Sequence, residues 1–303
     1  MWPLALLSLL LLACMAGSEE GTPTSHQLTP AGASLLTPPL SPVATPTPAG
    51  TAEGPPVKGG PSGPGTYIAL GDSLTAGVGA PAGSGFVDLV ARALGQGIEL
   101  LNLGHPGDTS AELIEHGHLD RALGEIGSRD SDGRPDNDVR LVTITIGGND
   151  LLDLLPQYVL QGQCPSREAL LSRPECLSTL RAAMGRLAAN LDAILSRLRQ
   201  AAPQVPIVVV TLYNPFSGRD QQLGALGDLA LEGEEGTALP MGVNDVIRDA
   251  ARRHNVLVAD VFPPFQGRSP ELVSSDMIHP NQSGYRVMAE AVLSVLGVPS
   301  PGR

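Results

Sequence analysis

The chain has 303 residues, 31 of them acidic and 19 basic, for a formal net charge of −12. So acidic a chain disfavours nucleic acid and anionic lipid headgroups as partners, because like charges repel. The first sixty or so residues do not read as globular, which leaves roughly 230 for one domain with a sizeable core.

Leu4 to Ala13 is an apolar run that ends in Leu11-Leu12-Ala13-Cys14. It is too short to cross a membrane as a stable helix and suits the core of a signal peptide. Leu-Leu-Ala-Cys resembles the bacterial lipobox, whose cysteine carries lipid. Residues 1–14 are therefore expected to be a signal peptide, with Cys14 anchoring an extracytoplasmic protein to the cell membrane. Met1-Trp2-Pro3 lacks the usual basic residue, and an ordinary secretory signal with an incidental Cys14 is the alternative. Residues 15–65 are rich in Pro, Thr, Ser and Gly, as in Thr45-Pro46-Thr47-Pro48. That composition builds no core and predicts an extended tether, which would reach about 150 Å at ~3.1 Å per residue.

From Thr66 short apolar runs alternate with helical patterns, and residues 66–298 are expected to form the folded domain. Strands are predicted at Tyr67–Leu70, Ile98–Leu103, Leu141–Ile146, Ile207–Leu212 and Val256–Val261. Several are continuously apolar, as strands covered on both faces are. Helices are predicted at Gly85–Leu94, Thr109–Glu115, Met241–His254 and Ser283–Leu296. The clearest runs from about Leu177 to Gln200, where Leu180, Met184, Leu187, Leu191, Ile194, Leu195 and Leu198 recur at helical spacing. Such alternation gives an α/β fold, a three-layer α/β/α sandwich on a five-stranded parallel sheet. Two segments interrupt it. Leu155–Pro174 holds Cys164, and Cys176 follows twelve positions later. Ser217–Pro240 is glycine-rich and acidic. Both follow carboxyl ends of strands, where open α/β sheets hold ligands, so both are expected either to wall the substrate site or to be inert surface insertions. In an oxidising compartment Cys164 and Cys176 are expected to form a disulfide; two unpaired thiols are the alternative.

Four short motifs occur in order: Gly71-Asp72-Ser73-Leu74, Gly107-Asp108-Thr109-Ser110, Gly147-Gly148-Asn149-Asp150 and Asp276-Met277-Ile278-His279-Pro280. Each is weak alone, yet each sits just past a predicted strand or just before a predicted helix. Gly71 permits a tight turn that exposes the Ser73 hydroxyl at the sheet edge. A serine hydroxyl is a poor nucleophile and needs a base, for which His279 is the candidate. Asp276, three residues earlier, can reach the imidazole and fix its tautomer. The backbone N–H groups of Ser73 and Gly107 and the side-chain amide of Asn149 are the candidate oxyanion donors. Asp150 reads as a helix N-cap, and Asp72 and Asp108 as residues that hold the two turns through loop backbone.

These motifs resemble those of the SGNH hydrolases, also called GDSL esterases and lipases, over roughly residues 66–297. The resemblance implies a flavodoxin-like strand order. It identifies Ser73 as nucleophile, Gly107 and Asn149 as oxyanion residues, and Asp276 with His279 as the remaining triad members. Gly104 competes with Gly107, but Gly-Asp-Thr-Ser matches the family's pattern better. Tyr213-Asn214-Pro215-Phe216 is similar to a stretch in lipase-like members, so Tyr213 and Asn214 are candidate pocket residues, with simple loop packing as the alternative. His105, close to Gly107, is a third candidate for the pocket.

The expected function is hydrolysis of carboxylic esters of lipids, lysophospholipids or short acyl chains, through an acyl-enzyme on Ser73. Deacetylation of a polysaccharide is the near alternative, and a non-catalytic surface-binding lipoprotein the distant one. No phosphate loop or dinucleotide fingerprint is present, so no cofactor is implied. His116 and His118 form His-x-His beside Glu115, but two assured ligands do not make a metal site, and a solvated helix end is expected instead.

Overall fold

The structure, a computed structural model, describes residues 63–299. The expected signal segment, Cys14 and the tether up to residue 62 lie outside them.

Strand β1 (Gly65–Gly71) leads through the short helix α1 (Ser73–Ala76) and α2 (Phe86–Leu94) to β2 (Ile98–Gly104). Helices α3 (Ser110–Glu115) and α4 (His118–Asp130) precede β3 (Val139–Thr145). Next come α5 (Gly148–Leu152), one π-helical turn (Pro156–Leu160), α6 (Arg167–Ser172) and the long α7 (Pro174–Ala201). Strand β4 (Ile207–Val210) is followed by α8 (Gln221–Glu232) and α9 (Val243–Arg253). The chain closes with β5 (Leu257–Ala259), the single turns α10 (Phe262–Phe265) and α11 (Ser269–Leu272), and α12 (Gln282–Val295).

All neighbouring strands pair in parallel, in the order β2-β1-β3-β4-β5. This is the flavodoxin-like order, with its switch point between β1 and β3, where such sheets bind ligands. The strands begin where the apolar runs begin, to within two residues, but β4 and β5 stop earlier than the apolar patterns, at Val210 and Ala259. Beyond those ends the backbone turns to form site loops: Leu212 N–H donates to the Asn244 side chain and Val261 N–H to the Thr211 hydroxyl.

Two-residue alternation decides which layer each side chain enters. Along β1, Ile68 and Leu70 join one core with α3, α4, α7 and α9, while Tyr67 and Ala69 join the other with α2 and α12. Helix α7 carries the longest stripe of the first core, with Leu187, Leu191, Ile194, Leu195 and Leu198 all buried. Each such side chain contributes about 1.5–3 kcal/mol on burial. Pro174 opens α7 at a position that needs no N–H donor. At its other end the Arg199 guanidinium donates to the carbonyls of Ala202 and Val205, tying the loop that follows back onto the last turn.

A third, smaller cluster lies over the carboxyl end of the sheet, with Tyr158, Leu170, Leu177, Leu180, Leu226 and Leu229. It is built from the two interrupting segments and the start of α7. Cys164 and Cys176 are joined by a disulfide there. The glycine-rich Ser217–Pro240 segment holds the three-turn helix α8.

Candidate active site

Ser73 is the first residue of α1, one position past its N-cap Asp72 and two past the end of β1. The Asp72 carboxylate accepts from the Leu74 N–H at 3.0 Å and from the Thr145 hydroxyl at 2.9 Å. It thus fastens the serine turn to the end of β3. Asp72 is only 2 % exposed. That burial pushes its carboxyl up to about 6, against the opposing pull of the Thr145 and Leu74 hydrogen bonds.

His279 comes from a tight loop between α11 and α12. An isolated antiparallel bridge pairs Val273 with Pro280, and the Ser274 N–H donates to the His279 carbonyl at 2.8 Å. Met277 sits at the tip with φ +68°, a left-handed conformation uncommon for a residue with a side chain. The Asp276 carboxylate organises this loop from within. Its Oδ1 accepts from Ile278 N–H, His279 N–H and Ser274 Oγ, and its Oδ2 lies 2.7 Å from His279 Nδ1. Burial alone would raise this carboxyl, but the backbone bonds from Ile278 and His279 and the bonds from the His279 ring and Ser274 outweigh it and hold it below its ordinary value. The other ring nitrogen, His279 Nε2, is 2.9 Å from Ser73 Oγ. Residues 206 positions apart thus meet in one hydrogen-bonded Ser–His–Asp line.

Two buried phenols brace the loops that carry this line. Tyr285 donates to the Val78 carbonyl, at 2.7 Å, just after the serine turn, and Tyr213 donates to the Ile278 carbonyl beside His279, at 2.5 Å. Burial first, and then the nearby Asp72 and Asp276 charges, raise both hydroxyls above the ordinary tyrosine range, so they stay donors. Gly79 lets the two loops close. It has φ +93°, and a Cβ there would lie 2.7 Å from both His279 Cβ and the Pro280 carbonyl.

Asn149 enters from the first turn of α5, after β3. Its Nδ2 donates to the Asp108 carbonyl at 2.8 Å, which ties it to the turn of Gly107 and leaves its second N–H available. Gly107 has φ +94°, which only glycine adopts freely. Among the described residues, neither the Ser73 nor the Gly107 N–H has a hydrogen-bond partner. The N–H of Gly104, by contrast, is taken by the Asn102 side chain at 2.9 Å. Asp150 differs from the sequence expectation. Helix α5 is capped by Gly147, and the Asp150 carboxylate instead grips the N–H and hydroxyl of Ser110 at 2.8 and 2.5 Å. It locks the second motif to the third.

A cavity opens beside these groups. Ser73, Asn149 and His279 stand at it, and the rest of the lining is chiefly apolar, with Leu155, Leu170 and Leu226 among its walls. Its volume is about 140 Å³, roughly ten times what one water requires. Both interrupting segments supply lining: Leu155, Tyr158 and Leu170 from one, Leu223, Leu226, Ala230 and Leu231 from the other. Tyr213 and Asn214 line it too, but their polar atoms are engaged elsewhere. Asn214 donates to the Gly224 carbonyl and Asp228, and accepts from Phe216 N–H. His105 is not among the lining residues. Its ring turns to the Asp108 carboxylate, 2.8 Å away. Asp108 therefore holds the loop through its backbone carbonyl, while its side chain faces histidines. Sequence reasoning missed Tyr285 and Gly79, for which only the non-local packing is a signal, and the apolar stripe Leu223, Leu226, Ala230, whose helical spacing was readable.

The arrangement provides a hydroxyl, a hydrogen-bonded imidazole oriented by a carboxylate, and free donors nearby, which is what acyl transfer requires. The chain also resembles known proteins. Residues 69–287 match the model of the GDSL-like lipase/acylhydrolase family. The chain is 25% identical over 233 residues to the spore germination lipase LipC of Bacillus licheniformis, covering 74% of this chain and 92% of that one. It is 26% identical over 234 residues to the uncharacterized protein YpmR of Bacillus subtilis, covering 75% and 80%. Among solved structures, the lipase Lip_vut3 from a goat rumen metagenome superposes with a TM-score of 0.51 at 23% identity, over 76% of this chain and 97% of that one. The acetylxylan esterase Axe2 of Geobacillus stearothermophilus gives 0.51 at 19% identity, over 80% and 99%. At these identities the two structures share the fold with this chain.

Proposed function

The chain belongs to the GDSL-like lipase/acylhydrolase family and is an ester-hydrolysing enzyme, and from that premise we propose that it cleaves esters of extended apolar acyl chains through an acyl-enzyme on Ser73. The apolar cavity that begins at Ser73, Asn149 and His279 carries this reading. An acetyl group would leave most of that cavity empty, whereas an alkyl chain would cover its leucines at roughly 0.8 kcal/mol per buried methylene.

In the reaction, His279 Nε2 takes the Ser73 proton as Oγ attacks the ester carbonyl. The carbonyl oxygen becomes an oxyanion, met by the N–H groups of Ser73 and Gly107 and the free N–H of Asn149. Asp276 holds the Nδ1 proton and stabilises the imidazolium. Collapse breaks the bond to the leaving alkoxide, which takes the proton from His279 and departs as the alcohol. A water then gives a proton to His279 and its oxygen to the acyl carbon. The carboxylic acid leaves and the Ser73 hydroxyl is restored. Each oxyanion donor contributes about 3 kcal/mol of transition-state stabilisation.

The reading includes export, supported by the Leu4–Ala13 run and by the Cys164–Cys176 disulfide, a bond of oxidising compartments. Labelling with a fatty-acid analogue, compared between the parent and Cys14→Ala, reports whether Cys14 carries lipid.

Hydrolysis of chromogenic esters from acetyl to palmitoyl tests the mechanism and the substrate class together. Ser73→Ala should lower kcat by about 10⁴-fold or more on every ester. Leu226→Trp, which fills the cavity, should lower activity on long chains at least tenfold and spare acetyl esters. Equal rates for the parent and Ser73→Ala would sink the mechanism. A parent that prefers acetyl to all longer chains would transfer the weight to deacetylation of a polysaccharide.

A further inference from the structure

On the outer side of the Gly107 turn, three imidazoles surround one buried carboxylate. Asp108 has a side chain only 3% exposed. His105 Nδ1 lies 2.8 Å from its Oδ1, His116 Nδ1 lies 3.5 Å from the same oxygen, and His118 Nε2 lies 3.4 Å from Oδ2. The His105 and His118 rings stack, with centroids 4.6 Å apart. Asp108 Oδ2 is buried and has no hydrogen-bond partner. A desolvated carboxylate oxygen without a partner is costly, and the usual remedy is a proton donor or a cation.

We propose that His105, Asp108 and His118, with His116 at the rim, bind a divalent transition-metal ion of the zinc class. One ligand atom from each of His105, Asp108 and His118 lies within 4.8 Å of the others. Ligands at ~2.0–2.2 Å from a tetrahedral ion stand about 3.3–3.6 Å apart, so closure asks for only a small rotation of the rings. Imidazole nitrogen and carboxylate oxygen together suit zinc and its neighbours, while calcium and magnesium favour all-oxygen sites. His105 and His116 are about half exposed, which gives an ion a way in. The local sequence offers only the His-x-His pair. The fold adds Asp108 from the preceding turn and His105 from the end of β2.

Binding of the ion does not depend on the mechanism above, but its consequence does. The Asp108 carbonyl holds Asn149 Nδ2, and Gly107 is the preceding residue. An ion on the Asp108 carboxylate would stiffen the turn that presents two oxyanion donors, making the site a structural support for catalysis and no part of the reaction.

The test is zinc titration of the chelator-stripped full chain by calorimetry, with cobalt absorption as a coordination signature. One equivalent should bind, and at a hundredfold excess over Kd the Tm should rise by about 5–10 °C. His105→Gln and His118→Gln should each weaken binding at least tenfold, and His254→Gln, which is paired with Asp192 outside the cluster, should not. Should either variant fail to reach the metal-free parent's Tm, Asp108→Asn and His116→Gln carry the same reading. Absence of binding, or binding that survives these changes but is lost in His279→Gln, would overturn the proposal, the latter by assigning the ion to the Ser–His–Asp line.

Discussion

Replacing Asp72 by asparagine separates the electrostatic cost of the serine turn from its hydrogen bonds. Burial lifts the Asp72 carboxyl from 3.8 to about 6. Between those two values the folded protein binds a proton that the unfolded chain has released, so this group's contribution to stability falls as pH rises through the window. The loss is complete above pH 6 and amounts to about 3 kcal/mol at 1.36 kcal/mol per pH unit. Below pH 3.8 it is absent. Asparagine keeps an oxygen for Leu74 N–H and the Thr145 hydroxyl and carries no charge at any pH. Its amide nitrogen would replace Asp72 Oδ2 and need an acceptor, at a cost of about 1–3 kcal/mol that does not vary with pH. Asp72→Asn should therefore be the less stable protein near pH 4.5 and should gain about 2 kcal/mol on the parent by pH 7. That corresponds to a change of roughly 4–8 °C in the difference between their melting temperatures. Scanning calorimetry of both proteins from pH 4.5 to 8 reads this difference directly. Cancellation of the other titrating groups makes the comparison independent of His279. A difference that stays flat, or that moves against the variant as pH rises, would refute the claim that the turn houses a destabilised carboxylate.

Gly79→Ala should lower kcat by about ten- to a hundredfold, because a Cβ 2.7 Å from His279 Cβ displaces the imidazole by a fraction of an ångström. KM should change little; unaltered turnover in the folded variant would show that the two loops yield without losing their geometry. Cys176→Ser should lose about 2–3 kcal/mol of stability by freeing the loop between positions 164 and 176 in the unfolded chain. Denaturant midpoints of the reduced parent and of the variant should agree and lie below that of the oxidised parent; a variant as stable as the oxidised parent would contradict this.

The five strands and the longest helix were legible because their signals are local: apolar runs between turn residues, and leucines at helical spacing. Ser73, Asn149, Asp276 and His279 were legible as motifs, and their convergence follows from each standing at or beyond the carboxyl end of the sheet. Helices α4 and α8 were not seen. In α8, Gly224 and Gly227 lower the local propensity, yet Asp220 caps its start through Gln222 and Leu223 N–H groups and Gly233 follows its end. In α4, Leu119, Ala122 and Ile126 form a thin stripe in a polar segment. The side-chain contacts of Asp150 and Asp108 could not be read. Ser110 lies 40 positions from Asp150, and His105 meets His118 only after β2, the Gly107 turn and α3 have formed. Spacing reports what a residue sees along one helix or turn, and these contacts cross between elements.

The wall of the cavity and the groups beside it have different origins in the chain. Ser73 and Asn149 stand on the first turns after β1 and β3, and His279 is pinned by Asp276, while Leu155, Leu170 and Leu226 belong to segments inserted between those elements. The wall is therefore an exchangeable cassette on a fixed chassis. Residues 155–174, fastened at one edge by the Cys164–Cys176 bond, can be lengthened, shortened or recoloured in polarity with no strand end having to move. Selection on substrate size would act first on such a cassette, and laboratory libraries confined to it would sample new acyl preferences while the hydrogen-bonded line from Asp276 to Ser73 stays where it is.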